Sequence, residues 1–195
     1  MVATALDTAV TSVAVLIDNS EQFRARVATV ARELGPTAIE ELATRFHSPP
    51  LPEPSGFGYK QRGLGGWLSA WQFAIFELFF QFGAVALPVL RRVAFGEYYW
   101  TQGNAIEVLV RLAAAGVERE RIVADLRREF PNIRYEATLY SVGPLLHHAV
   151  RDPAIAAVVS ELADMPEWQA AAQELREAGR LPDAEPGAAA DGGGM

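Results

Sequence analysis

The segment from Trp67 to Phe95 is the most apolar and most aromatic part of the chain, and it limits what the chain can fold into. At helical spacing it forms a continuous apolar stripe, which passes through Trp67, Trp71, Ala74, Ile75, Leu78, Phe82 and Val85. The opposite face is mixed and still contains Phe73, Phe76 and Phe80. A helix that is apolar nearly all round is either buried among several other helices or lies in lipid.

The few polar residues of this segment decide between those two environments. Residues 67–90 carry one charged side chain, Glu77, and are long enough to span a bilayer. An ionisable group near the middle of a membrane span is costly, and here Gln72 and Gln81 flank it and Pro88 follows. We therefore predict a central helix that the rest of the chain buries. A membrane-associated protein anchored by residues 67–90 is the alternative.

Composition narrows the class of protein. A chain of 195 residues fits one domain with small appendages, and the absence of cysteine excludes disulfides, zinc–thiolate sites and thiol catalysis. The first residues lack the basic region and apolar run of a secretory signal, so a cytoplasmic protein is expected. The net charge is −7, and residues 150–195, with three arginines and nine acidic residues, account for −6 of it. Such an acidic chain is a poor general binder of nucleic-acid phosphates.

Breaker residues divide the chain into four parts. Residues 1–46 are predicted to form an N-terminal helical segment, and residues 47–66 form a linker with four prolines and five glycines. The linker is interpreted either as a spacer or as a loop that folds over a binding face and supplies Phe57 and Tyr59. Residues 67–179 are predicted to form the main helical domain. Residues 180–195 have little to bury and are expected to be disordered.

The main domain alternates helical periodicity with short breakers and shows no β pattern. The stretches LPVLRRVAF (87–95) and GPLLHHAV (143–150) share a Pro-x-Leu core, and AIEVLVRLAAAG (105–116) reads like the inner helix of a repeat. Over roughly residues 82–175 the chain resembles HEAT-like or armadillo-like helical repeats. The resemblance implies an all-α fold, a short right-handed α-solenoid of helix pairs with an N-terminal helical cap, and a concave binding groove. An irregular all-α bundle is the alternative.

Polar and aromatic residues are concentrated in the stretch GEYYWTQGNAIE (96–107). Arg111 follows Glu107 by one helical turn, and a later helix presents a second polar face, so stacked helices would bring both faces to one groove. Tyrosine, tryptophan and arginine dominate interface hot spots, although turn aromatics are also often buried for structural reasons. The candidate binding residues are Glu97, Tyr98, Tyr99, Trp100, Gln102, Asn104, Glu107, Arg111, Glu136, Tyr140 and His147.

No pattern of catalytic or metal-binding residues is present in the sequence. There is no HExxH, Gly-x-Ser-x-Gly or Walker motif, and His147 and His148 point about 100° apart on a helix, so they cannot chelate one metal. We therefore predict no catalytic residue, metal or cofactor, and a non-enzymatic protein-binding scaffold or adaptor. Its acidic surface would suit a basic partner, and an immunity-type inhibitor of a basic toxin is one concrete form. The resemblance also leaves open a HEAT-like nucleic-acid-binding or DNA-glycosylase-type protein.

Overall fold

The computed structural model describes residues 4–55, 57, 65–97 and 101–181. Within these ranges the chain is helical and contains no β-strand, which confirms the all-α prediction. The α-helices of the described residues are α1 (Ala5–Ala14), α2 (Ser20–Leu34), α3 (Ile39–Thr44), α4 (Gly66–Phe82), α5 (Leu87–Phe95), α6 (Gln102–Ala114), α7 (Arg119–Glu129), α8 (Tyr135–Ala149), α9 (Pro153–Leu162) and α10 (Pro166–Glu177). Short 3-10 turns at Pro36–Ala38, Gly83–Ala86 and Phe130–Asn132 join some of them.

Three helices, α1, α2 and α9, begin at residues whose side chains cap them. Asn19 accepts a hydrogen bond from the backbone of α2, and Asp152 does the same for α9, where Pro153 occupies the first position. A capping box opens α1, since Thr4 accepts from the Asp7 amide at 3.1 Å and Asp7 accepts from the Thr4 amide at 2.9 Å. These caps satisfy amide groups that a helix cannot pair internally, so they fix the helix boundaries locally.

The predicted central helix, α4, lies in the core, where it packs against α1, α2, α3 and α6. Trp71 is fully buried, and its indole Nε1 donates to the backbone oxygen of Arg45 at 2.8 Å. The ring of Phe46 lies 4.8 Å from that of Phe76 and meets Phe79 edge-on at 5.7 Å. The N-terminal helices and the segment after α3 therefore cover part of α4, and α6 covers another part.

The apolar stripe does not continue as one helix to Val85. Gly83 adopts φ +61°, a conformation that ends α4 after 17 residues, and Val85 is 59 % exposed in the 3-10 turn that follows. The expectation that Val85 belongs to the buried stripe was therefore wrong. By length and composition, the segment from Gly66 to Phe95 is the one candidate for a membrane span among the described residues, but a core helix has the same properties.

A second central helix, α6, packs against α4, α5, α7, α8 and α9. Its crossing with α8 is close at Gly103, where a Cβ atom would lie 2.7 Å from the Cβ of Tyr140 and 3.2 Å from the carbonyl oxygen of Ala137. Because glycine has no Cβ atom, it allows the backbones of α6 and α8 to approach each other this closely. The sequence signal for this contact is a glycine inside an otherwise good helix.

Replacing Gly103 with alanine is expected to destabilise the fold by about 1–3 kcal/mol, because the added methyl group forces α6 and α8 apart. Gly143→Ala is the matched control, since apart from its chain neighbours its new Cβ would meet only the side chain of Leu175, at 3.5 Å. That variant is expected to change stability by less than about 1 kcal/mol, because the helix propensity that alanine gains is offset by the crowding of its Cβ against the ring of Pro144. Urea denaturation of both variants measures the difference, and equal stability would contradict the close crossing.

One residue of the predicted linker and one residue of the predicted tail pack against the core. Phe57 is 8 % exposed and meets Trp67 edge-on at 5.0 Å, so it packs into the core rather than over a binding face. Tyr59 lies outside the described residues. At the other end Leu181 is buried, so packing continues past the predicted boundary at residue 179. Residues 182–195, predicted to be disordered, lie outside the described residues.

Candidate functional site: a groove lined by five helices

A groove of about 850 Å³ crosses the two central helices. Polar side chains of α4 and α6, which pack on each other, form its floor. One wall comes from α2, which packs on α4, and the other from α8 and α9, which pack on α6. Two other cavities among the described residues measure about 290 and 340 Å³. The groove is thus the larger site, and its volume is within the range of ligand-binding clefts.

The walls of the groove are apolar and partly aromatic. Phe23 of α2 and Phe73 of α4 pack together with ring centroids 5.7 Å apart and lie along one side. The apolar lining consists of Ile17, Phe23, Phe73, Phe80, Ala114, Ala115, Pro144, Ala154 and Ile155. Phe73 and Phe80 are only partly buried, so ring surface is left for apolar groups of a ligand.

A largely buried ion pair crosses the floor, with the Arg111 and Glu77 side chains 18 % and 11 % exposed. Arg111 of α6 donates from both terminal nitrogens to Glu77 of α4, with Nη2 3.0 Å from Oε2, and its guanidinium carbon lies 4.4 Å from the centre of the Phe80 ring. Burial lowers the pKa of Arg111, but hydrogen bonding and attraction from Glu77, with a smaller contribution from Glu107, raise the pKa overall. The arginine is therefore held charged and fixed in place by two kinds of contact.

A second carboxylate lies beside this pair. Glu107 is 7 % exposed, and its Oε1 lies 3.6 Å from Nη1 of Arg111 and 3.2 Å from Nε2 of His148 on α8. Glu77, Arg111 and Glu107 thus form a continuous polar floor, which His148 contacts from the wall. The floor contains two acidic groups and one permanent cation.

The rim carries charges of both signs. Arg24 of α2 and Arg151, just after α8, line the groove, are exposed, and form no ion pair with any described residue. Asp152 also lines it, but one of its carboxylate oxygens accepts from the first amides of α9. The cations at the rim are therefore available to a ligand, whereas the acidic groups of the floor are partly engaged.

The structure brings three of the predicted site residues together. Asn104, Glu107 and Arg111 follow one face of α6 and line the groove. The second predicted group, Glu136, Tyr140 and His147, lines the separate cavity of about 340 Å³ between α8 and the end of α10. The prediction that both polar faces line one groove was therefore wrong, because the residues of α6 and those of α8 line two different cavities.

The other predicted residues belong to neither group. Glu97 lines the cavity of about 290 Å³ together with Glu40, Arg92 and Thr101. Gln102 is buried and donates from Nε2 to the backbone oxygens of Ala94 at 3.3 Å and Gly96 at 3.1 Å, so it closes the end of α5. Tyr98, Tyr99 and Trp100 lie outside the described residues.

Several residues of the groove were not predicted as site residues. Glu77 is the one acidic residue in the apolar helix α4, and a buried carboxylate needs a cationic partner elsewhere in the chain. That requirement was a usable signal. His148 lines the groove, whereas the residue predicted from the sequence was its neighbour His147. No sequence pattern distinguishes the two histidines, since they are adjacent on one helix. The wall residues Phe23 and Phe73 were indistinguishable from core residues.

Within the described ranges, no group of three or more His, Cys, Asp or Glu side chains is arranged to hold a metal ion. Searches against protein-family models, curated proteins and solved structures found no match to the chain. The resemblance to HEAT-like and armadillo-like repeats therefore stays a prediction.

Proposed function

We propose that this protein is a non-enzymatic binding protein whose groove takes an apolar helical segment of a partner protein. The observation that carries the proposal is the combination of partly exposed aromatic walls with a buried, charged floor in one groove. Helix-in-groove recognition uses such a surface, because apolar side chains at i, i+3, i+4 and i+7 fill the hydrophobic part.

The floor argues for a polypeptide rather than a purely apolar ligand. An acyl chain laid along the groove would lie against Glu77, Arg111 and Glu107 and would offer them no hydrogen bond or charge. A polypeptide segment brings apolar and polar side chains in alternation and can satisfy both parts of the lining. Aromatic and arginine side chains such as those of the groove are the types enriched at interface hot spots.

We also propose that the fold is the short right-handed α-solenoid with an N-terminal cap that the repeat resemblance implies. The helix packing supports it, since the main packing pairs join helices no more than three places apart along the chain. The even-numbered helices α2, α4, α6, α8 and α10 pack in sequence as one layer, while α3 packs on α5 and α7 on α9. The groove crosses four members of the even layer, where a solenoid presents its concave face.

Site-specific photocrosslinking in cells of the source organism tests the proposed function. Ala154 and Ala157 are both exposed on α9, but only Ala154 lines the groove. A benzoylphenylalanine at position 154 is expected to give a discrete protein adduct, and the same group at position 157 is expected to give none. Ala115→Trp, which fills the groove from the end of α6, should remove the adduct. Equal labelling from both positions, or adducts that survive Ala115→Trp, would contradict the proposal.

A further inference from the structure

We infer that the partner segment carries one basic side chain, a lysine or arginine, which enters the groove and pairs with Glu107. This inference rests on the proposed function, because it names the chemistry of the segment that the groove would take. The floor of the groove holds more carboxylates than permanently charged cations, so the chain itself leaves room for one more basic side chain.

On the floor of the groove, two carboxylates share one permanently charged cation. Glu77 and Glu107 are 8 % and 7 % exposed, and Arg111 is the one permanently charged cation among the described residues that contacts either of them. His148 gives Glu107 one further polar contact, with Nε2 3.2 Å from Oε1. A buried carboxylate without a full counterion is unfavourable, so a cation that reaches it adds binding free energy.

Arg111 cannot serve both carboxylates equally. Its two terminal nitrogens are directed at the two oxygens of Glu77, and its face lies on the ring of Phe80. Turning the guanidinium toward Glu107 would break the paired hydrogen bonds and the ring contact. The 3.6 Å separation between Nη1 of Arg111 and Oε1 of Glu107 reflects this arrangement.

The remaining neighbour of Glu107 can yield to an incoming cation. The His148 side chain is 45 % exposed and comes from the wall of the groove, so rotation of its ring uncovers Glu107 without disturbing the floor. The rim arginines Arg24 and Arg151 line the groove but lie beyond ion-pair distance of Glu107. These two arginines favour an acidic residue in the partner segment, next to its basic residue. The expected segment therefore has a central basic residue, apolar anchors and an acidic flank.

Selection from a displayed library of helical peptides against the full chain tests the inference. Peptides whose capture is lost with the Ala154→Trp variant should carry apolar residues at helical spacing and a recurrent lysine or arginine. Replacing that residue in a selected peptide with norleucine, which keeps the chain length and removes a lysine's charge, is expected to weaken binding about 30-fold or more. The Kd is measured by fluorescence anisotropy.

The variant Glu107→Gln should bind the basic and norleucine peptides with nearly equal affinity, while the control Glu136→Gln, in the other cavity, should keep the full difference. Comparing two peptides on one variant cancels any change in its stability. Groove-binding peptides without a basic residue, or with only acidic ones, would overturn the inference and leave the proposed function standing. Failure to select any peptide that Ala154→Trp excludes would overturn both.

Discussion

Replacing Arg111 with methionine is expected to destabilise the folded state by about 3–5 kcal/mol, because it leaves Glu77 buried without its counterion. Glu77 is 8 % exposed and has both oxygens paired with Arg111, so the loss removes two charge-assisted hydrogen bonds at once. A domain of this size has a total stability of about 5–15 kcal/mol, so the variant should unfold at much lower denaturant concentration. Guanidinium denaturation followed by circular dichroism measures the change.

Two controls separate this effect from the loss of a surface arginine. Arg92→Met removes a similar pair with Glu40, but there both side chains are more than half exposed, so a loss of less than about 1 kcal/mol is expected. Glu77→Leu combined with Arg111→Met removes the two paired charges and should recover part of the stability lost in Arg111→Met alone, since Glu107 still loses its contact with Arg111. A double variant as unstable as the single one would show that the packing of Arg111, rather than its charge, is what the fold requires.

Replacing Trp71 with alanine is expected to destabilise the protein by about 3–5 kcal/mol, through the cavity left between α4 and the N-terminal helices. Trp71 is fully buried, and its indole also donates to the backbone oxygen of Arg45, which comes directly after α3. Trp71→Phe keeps an aromatic ring and removes the donor, so a smaller loss of about 1–3 kcal/mol is expected. Thermal unfolding by calorimetry compares the three proteins. Unchanged stability of Trp71→Ala would contradict the burial of α4 by its own chain.

The all-α fold and most helix boundaries could be predicted from the sequence because their signals are local. Asn19 and Asp152 cap α2 and α9, and Gly35 and Gly116, both with positive φ, follow the ends of α2 and α6. Periodicity alone placed Val85 in the core, because the stripe does not reveal that Gly83 turns the chain out of the helix. A glycine inside an apolar run shows that a helix ends there only when its backbone conformation is known.

The site was predictable only in the part that lies on one helix. Asn104, Glu107 and Arg111 share a face of α6 through spacing alone, and that face lines the groove. Glu77 is 34 residues from Arg111 in sequence, and their pairing follows from the packing of α4 on α6. No spacing rule covers a contact between two helices that the chain joins through an intervening helix. The position of His148 in the wall likewise follows from the orientation in which α8 packs on α6, and the spacing of residues within α8 does not reveal that orientation.

The central claim is tested most directly by the affinity of the Ala154→Trp and Ala157→Trp variants for a peptide that was selected on the wild-type chain alone, with no variant used in the selection. The two substitutions add the same bulk to two exposed alanines of α9, one in the groove and one outside its lining. If the groove takes a partner segment, Ala157→Trp should bind like the wild type, and Ala154→Trp should bind at least about 100-fold more weakly, a difference of nearly 3 kcal/mol. Equal affinity of the two variants for the peptide would contradict the claim.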